Sequence, residues 1–247
     1  MATTVKPSDK VRIGIIGCGG IATGKHLPAL HKLSNIEMVA FCDLIRSRAE
    51  SAAKNYGTPD AKVYENYKEL LEDKTIDVVH VLTPNRSHSF ISVDAMEAGK
   101  HVMCEKPVTM DSTELEQVIA AAEKANRIFT VHQNRRWDED YLMACQAVQS
   151  GEIGNITTIQ SRVYGQRGVC FGWRADPKAG GGMLYDWGIH LIDQFLCMFR
   201  GHKVTSVYAR LQSILTPAVD DSFEVQMIFD NGVCAKVQVG TFCLQEL

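Results

Sequence analysis

The order of apolar and polar positions divides the chain into two halves. In the first half, short apolar runs with the length of buried strands occupy residues 11–17, 37–43, 77–84, 101–107 and 128–134. Segments with helical periodicity, caps or glycine stops lie between them, at residues 21–33, 47–57, 65–73, 87–98 and 111–126. Strands separated by helices indicate a parallel sheet with right-handed crossovers.

The second half has a different period. Its longer runs alternate apolar with polar residues, as antiparallel strands with one buried face do, and they occupy residues 156–167, 203–215, 221–230 and 233–244. Asn231-Gly232 between the last two runs favours a hairpin, and one helical stretch spans residues 183–199. We therefore predict an α/β domain over residues 1–134 and an α+β domain with a mainly antiparallel open sheet over residues 135–247.

A glycine-rich turn follows the first predicted strand and opens the first predicted helix. The turn, GCGGIA at residues 17–22, fits the pattern G-x-G-x-x-G/A of dinucleotide-binding proteins. In that pattern Gly17 makes the tight turn, Gly19 lets the main chain approach a pyrophosphate, and the small Ala22 lets helix and strand pack closely. The N-terminus of the helix then presents unpaired N–H groups to the anion.

An acidic residue supports the same interpretation. Asp43 ends the second predicted strand, near the position where the pattern expects a carboxylate that binds the ribose hydroxyls of NAD. The sequence leaves two alternatives open. Asp43 caps the next helix instead, or Arg46 and Arg48, which follow it, bind the 2′-phosphate of NADP.

Composition excludes several classes of protein. The chain has 247 residues, 45% hydrophobic and 22% charged, with a formal net charge of −3, which argues against nucleic acid or an anionic membrane as the main partner. No apolar stretch approaches the ~18 residues of a membrane span, and the first residues lack the apolar core of a secretory signal. The eight cysteines form no C-x-x-C pair, which predicts reduced thiols in a cytoplasmic protein; a zinc or disulfide framework is the alternative.

Four stretches together resemble the Gfo/Idh/MocA family of NAD(P)-dependent oxidoreductases. They are GIIGCGGIA, VLTPNRSH, CEKPV and GGGMLYDWGIHLIDQFLCMFR, which begin at residues 14, 81, 104 and 180. The resemblance implies a Rossmann domain followed by an α/β domain whose open sheet often forms the interface of a homo-oligomer. It also implies oxidation or reduction at a hydroxyl-bearing carbon of a sugar, inositol or related ring.

The resemblance assigns a catalytic group to Lys106, Asp186 and His190. The separation of four residues places Asp186 and His190 on one face of a helix. A histidine is suited to take a hydroxyl proton, and a lysine stabilises negative charge on the reacting oxygen. The alternatives are an ordinary pair on a helix surface, or a metal site that adds Asp193; we predict no metal.

Further positions are implied with less force. The resemblance predicts that the cofactor is bound by Gly17, Gly19, Gly20, Ile21, Asp43, Thr83, Asn85, His88, Glu105 and Lys106. Substrate contacts are expected from the polar segments NRRW and GWR, at Asn134, Arg135, Trp173 and Arg174.

The length departs from the family pattern. Members usually exceed 300 residues, so we expect this chain to lack the last strands of the second domain, as a cut product, an incomplete gene model or a form that completes its sheet from a neighbour. Two other functions stay open: a non-catalytic NAD(P)-binding sensor or assembly protein, and a metal-dependent lyase or hydrolase that uses Asp186, His190 and Asp193.

Overall fold

The structure is a computed structural model that describes residues 10–165 and 172–242. The chain divides into two compact units, Met1–His132 and Gln133–Leu247, and each unit is described by itself. Within the described residues, no helix combines the length and the apolar character needed to span a membrane. Six cysteines in the described part are free thiols, while Cys170 and Cys243 lie outside the described residues.

The first unit contains the parallel sheet that the strand–helix alternation predicts. Its strands in the described residues are β1 (Val11–Ile16), β2 (Ile36–Cys42), β3 (Lys62–Tyr64), β4 (Val78–Val81), β5 (His101–Cys104) and β6 (Phe129–Val131). They pair in parallel in the order β3-β2-β1-β4-β5-β6. The order reverses between β1 and β4, and ligands of such sheets bind at the carboxyl ends of the strands near this point. This confirms the predicted Rossmann-type fold; the three-residue β3 was too short for the pattern to reveal.

The helices of the first unit follow the predicted segments closely. They are α1 (Leu27–Leu30), α2 (Arg46–Tyr56), α3 (Tyr67–Glu72), α4 (His88–Glu97) and α5 (Ser112–Ala125). A π-helical turn, Ala22–His26, precedes α1, so the helix predicted from residue 21 begins with a wider turn. At α5, Asp111 accepts a hydrogen bond from the Glu114 amide, which satisfies one of the unpaired N–H groups of the first turn.

The core of the first unit lies on both faces of its sheet. Ile15 and Phe41 are completely buried on one face, and Val79 and Val81 are completely buried on the other. Burial on two faces explains why β1, β2 and β4 are nearly continuous apolar runs rather than alternating ones. Each such side chain contributes about 1.5–3 kcal/mol on transfer from water.

The second unit has a helix-covered mixed sheet. Its elements in the described residues are α6 (Glu139–Ser150), β7 (Thr158–Tyr164), α7 (Ile189–Met198), β8 (Val204–Gln212), β9 (Ser222–Phe229) and β10 (Cys234–Gly240). The order is β7-β10-β9-β8; the pairs β8–β9 and β9–β10 are antiparallel, as predicted, whereas β7 and β10 are parallel. The long connection from β7 to β10, which includes α7, permits the parallel pair. Helix α6 was not predicted.

Alternation along β9 and β10 builds the core of the second unit. In β9, Phe223 and Phe229 point inward with the alternate residues between them, and they pack in one cluster with Leu191 and Phe195 of α7. A π-helical turn, Leu184–Gly188, leads directly into α7. The side chains that carry candidate chemistry therefore project from the start of a helix whose other face is anchored in the core.

Candidate active site

The glycine-rich turn has one position that only glycine fits. Gly17 has a φ of +95°, and an added Cβ would lie 2.6 Å from the carbonyl oxygen of Leu82. Its N–H donates to the carbonyl of Cys42 at 2.8 Å, which ties the turn to the end of β2. Added Cβ atoms at Gly19 and Gly20 would instead meet nothing within 4 Å. The turn thus has one packed glycine and two glycines that face open space, as a cradle for a pyrophosphate requires.

Asp43 is held across this turn by main-chain donors. Its Oδ2 accepts from the N–H of Cys18 at 2.9 Å, and its Oδ1 accepts from the N–H of Ile45 at 2.8 Å. Helix α2 begins at Arg46 with no side-chain cap, so Asp43 does not serve as its N-cap. Each carboxylate oxygen retains acceptor capacity for one ribose hydroxyl. The residues present therefore fit a nicotinamide dinucleotide.

Arg46, the alternative ligand for a 2′-phosphate, is engaged elsewhere. Its Nε donates to Glu50 at 2.8 Å and its Nη1 to Glu65 at 3.2 Å. Two acidic partners neutralise the guanidinium in the surroundings of Asp43. This arrangement favours the ribose hydroxyls of NAD over a phosphate.

Glu105 lies at the centre of a buried cluster after β5. Its Oε1 accepts from His26 at 2.7 Å and from His132 at 3.0 Å, and its Oε2 accepts from the N–H of Lys106 at 3.0 Å. Burial alone would raise the pKa of Glu105, but the hydrogen bonds from the two rings outweigh burial and hold this pKa below its usual range. The carboxylate thus stays ionised and fixes the main chain that carries Lys106.

The same three side chains are the group in the described residues that has the geometry of a metal site. His26, Glu105 and His132 offer ligand atoms that lie within 4.8 Å of one another. Histidine and carboxylate ligands suit zinc. However, the two ring nitrogens lie at hydrogen-bond distance from one carboxylate oxygen, so two N–H···O bonds account for the arrangement.

The loop after β4 and the segment after β5 are joined through His88. This ring is buried, with Nδ1 2.7 Å from the carbonyl oxygen of Pro107 and Nε2 2.7 Å from that of Thr83. Burial lowers the pKa of His88, although both carbonyls oppose the shift. The ring holds main chain on both sides of the expected cofactor loop. Asn85 is also buried, whereas Thr83 and Lys106 are partly exposed.

In the second unit, Asp186 is paired with Arg174. The Nε of Arg174 donates to Oδ2 of Asp186 at 3.1 Å, and the guanidinium lies 4.5 Å from the ring centre of Trp173. Main chain must approach closely here, because a Cβ on Gly181 would collide with the carbonyl oxygen of Arg174, and Gly182 has a φ of +105°. The glycine run thus places Arg174 beside the π-helical turn that carries Asp186.

His190 is bound by a residue that the sequence reading did not select. Its Nδ1 lies 3.0 Å from Oε1 of Gln133, and Nε2 of Gln133 donates to the carbonyl oxygen of Ile189 at 3.2 Å. His190 is buried, with 6% of its surface exposed. Arg174 and Gln133 are therefore contacts of the candidate residues Asp186 and His190 that the helical spacing does not predict.

The structure also describes the other candidate residues of the second unit. Asn134 is exposed, and Arg135 lies 4.2 Å over the ring of Trp187. Asp193, the third residue of the alternative metal site, binds the guanidinium of Arg136 through both oxygens, at 2.7 and 2.5 Å. That ion pair gives Asp193 a structural partner.

The residues that sequence reasoning missed are partners distant in the chain. His26 and Glu105 are 79 residues apart, and Gln133 and His190 are 57 apart. No local motif links such positions. The one available signal was location, since His26 follows the glycine-rich turn, and His132 and Gln133 follow a predicted strand.

Two family models match the chain. The model described as "Oxidoreductase family, NAD-binding Rossmann fold" matches residues 11–133, and the model described as "GFO/IDH/MocA C-terminal domain" matches residues 141–246.

Several known proteins are similar to most of this chain. Inositol 2-dehydrogenase of Salmonella typhimurium is 31% identical over 235 residues, which are 94% of this chain and 68% of that protein. The NADP-dependent scyllo-inositol 2-dehydrogenase of Bacillus subtilis is 32% identical over 213 residues, which are 86% of this chain and 58% of that protein. A crystal structure of an NAD-binding protein from Listeria innocua is 39% identical with a TM-score of 0.90, covering 97% of this chain and 69% of that one. This chain thus spans 58% to 69% of the length of these proteins.

Proposed function

Because the chain belongs to the Gfo/Idh/MocA family of oxidoreductases, we propose that it is an NAD-dependent dehydrogenase of a polyol, sugar or inositol-type cyclic alcohol. The substrate class rests on two relatives named as inositol dehydrogenases. The observation that carries the proposal is the carboxylate of Asp43, held by a main-chain N–H of the glycine-rich turn.

The first unit supplies the cofactor site in this proposal. Gly17, Gly19, Gly20 and Ile21 form the turn that receives the pyrophosphate, and Asp43 accepts the ribose hydroxyls. Thr83, Asn85, His88 and Glu105 shape or hold the loops after β4 and β5. The nicotinamide, when bound, accepts or supplies the hydride; the protein positions the carbon and handles the proton.

The proton is assigned to His190. During oxidation of the alcohol, the hydroxyl oxygen gives its proton to His190 as the carbon loses the hydride. Lys106 donates a hydrogen bond to the same oxygen and stabilises its negative charge. Asp186 and Arg174 contribute a charge pair beside the substrate, together with Asn134, Arg135 and Trp173 as substrate contacts.

Cofactor binding is the first test. We expect the protein to bind NADH, with a change in fluorescence, at concentrations at which NADPH binds only weakly. The physical reason is that the carboxylate of Asp43 repels a 2′-phosphate. Fluorescence titration of the purified chain with both cofactors measures this. A preference for NADPH would move the ribose site from Asp43 to Arg46 or Arg48. Binding of neither cofactor would contradict the proposal.

Turnover tests the catalytic assignment. With a panel of inositols, aldoses and polyols, we expect Lys106→Met and His190→Asn to lower kcat by about 100-fold or more, with NADH affinity retained. Lys124→Met and His202→Asn alter exposed residues of the same types and serve as matched controls. NADH binding without turnover on the whole panel would favour the non-catalytic sensor or assembly protein.

The assembly and location belong to the same proposal. We propose a homo-oligomer formed through the sheet of the second unit, supported by exposed apolar side chains of β8 such as Val207 and Leu211. Light scattering after size exclusion measures this, and a monomer at all concentrations would contradict it. A cytoplasmic location is supported by the cysteine usage of the sequence.

A further inference from the structure

The amide of Gln133 has only one possible orientation. One end of the amide lies 3.2 Å from the carbonyl oxygen of Ile189, and the other lies 3.0 Å from Nδ1 of His190. A main-chain carbonyl oxygen only accepts hydrogen bonds, so the amide nitrogen must face Ile189. The amide oxygen, which has no proton to donate, therefore faces the ring of His190.

This orientation determines which ring nitrogen carries the proton. A hydrogen bond to the amide oxygen requires a donor, so Nδ1 of His190 is protonated. We propose that Gln133 is a positioning residue that fixes His190 as the Nδ1–H tautomer and makes Nε2 the basic nitrogen of the ring. The inference rests on the proposed function for its consequence in catalysis, because it specifies the atom of His190 that receives the hydroxyl proton.

The main chain that carries Gln133 is fastened to the same helix. A short 3₁₀ turn, Asn134–Trp137, follows Gln133 directly. From α7, Nε2 of Gln194 donates to the carbonyl oxygen of Arg135 at 2.7 Å, and Asp193 binds Arg136 through both oxygens. The main chain that follows Gln133 is thus fastened to α7 about one turn beyond His190.

A neutral partner has a chemical consequence. A carboxylate at this position would favour the imidazolium and keep the base protonated to higher pH, whereas an amide orients the ring without adding charge. The charged groups on the elements around His190 have opposite partners: Asp186 with Arg174, Asp193 with Arg136, and Arg135 with Asp138. Gln133 therefore orients the base without adding a charge of its own.

The experiment reads the tautomer directly. In ¹⁵N-edited NMR spectra of the full chain, with the His190 signals identified by their loss in His190→Asn, we expect a protonated Nδ1 and an unprotonated Nε2 when the ring is neutral. Gln133→Glu should move the midpoint of the His190 titration, and the acid limb of kcat/KM, about one pH unit upward. Gln133→Met should give mixed tautomers and lower kcat/KM about tenfold without the upward movement.

Gln194→Met is the matched control, because Gln194 is a buried side-chain amide whose Nε2 donates to the carbonyl oxygen of Arg135 in the 3₁₀ turn. It should leave the tautomer and the titration midpoint unchanged. An Nε2–H tautomer in the unsubstituted protein, or a midpoint unmoved in folded Gln133→Glu, overturns the inference. Absence of turnover on every alcohol would instead contradict the proposed function, and the NMR spectra would still decide the role of Gln133.

Discussion

The two units hold their ionisable residues in different ways. In the first unit, Glu105 is buried and accepts hydrogen bonds from two histidine rings and one main-chain N–H. In the second, Asp186 and His190 are held by the side chains of Arg174 and Gln133. The contacts of Glu105 stabilise the first unit and also fix the main chain that carries Lys106. We therefore expect their loss to affect both stability and cofactor binding. The second holds the proposed base and the neighbouring carboxylate through two single side chains, so we expect its loss to affect activity more than stability.

The largest effect on stability is expected from a substitution in the glycine-rich turn of the first unit. We expect Gly17→Ala to lower the free energy of unfolding by about 3 kcal/mol or more, because a left-handed φ and a collision with a main-chain carbonyl act together. Gly19→Ala, where the added Cβ meets open space, should change stability by about 0.5 kcal/mol or less but weaken NADH binding about tenfold. Denaturant unfolding and NADH titration of both variants measure this. Equal stability losses would contradict it.

A direct test compares one carboxylate from each unit. Glu105→Gln should cost about 2–3 kcal/mol near pH 7, because a buried anion with three donors is lost. Asp186→Asn should cost about 1 kcal/mol or less, because its partner Arg174 is 30% exposed. The depressed pKa of Glu105 means that its stabilisation is present above the unfolded value of about 4.3 and is lost as the pH falls below it. Unfolding curves at several pH values measure both differences; equal costs near neutral pH would remove the distinction.

A third prediction compares the pH dependence of stability caused by His80 of the first unit with that caused by His202 of the second. Burial, with a smaller contribution from His26, lowers the pKa of His80 to about 3, and its Nε2 has no hydrogen-bond partner among the described residues. As the pH falls, the ring of His80 is therefore protonated in the unfolded chain before it is protonated in the folded chain. About 2 kcal/mol of the free energy of unfolding is lost between about pH 6.5 and 5. His80→Leu should flatten this part of the profile, whereas His202→Leu, at an exposed position, should not. An unchanged slope in His80→Leu would show that other groups control acid stability.

The sequence predicts the fold of the first unit well because its signals are local. Apolar runs mark β1, β2 and β4, and the turn at Gly17 follows directly from a backbone requirement that only glycine meets. In the second unit, alternation predicts β8, β9 and β10, but not that β7 pairs in parallel with β10, because pairing direction depends on the path of the connection.

Partners of the candidate residues were harder to predict than the residues themselves. The motifs select Glu105, Asp186 and His190, yet nothing near them in sequence identifies His26 or Gln133. Such partners are chosen by the packing of elements that lie far apart along the chain. Composition and periodicity carry no information on that packing.

The two π-helical turns, Ala22–His26 and Leu184–Gly188, make the molecule sensitive to the deletion of a single residue. A π turn accommodates one more residue than an α turn, is rare in proteins and is frequently found at functional sites. Removing one residue from either segment would restore the ordinary helix and rotate the preceding residues relative to those that follow by about 100°. His26 would then turn away from Glu105 in one unit, or Asp186 from Arg174 in the other. Loss of a single codon, which leaves the reading frame and the rest of the helix intact, is therefore the smallest genetic event that would separate either pair of side chains.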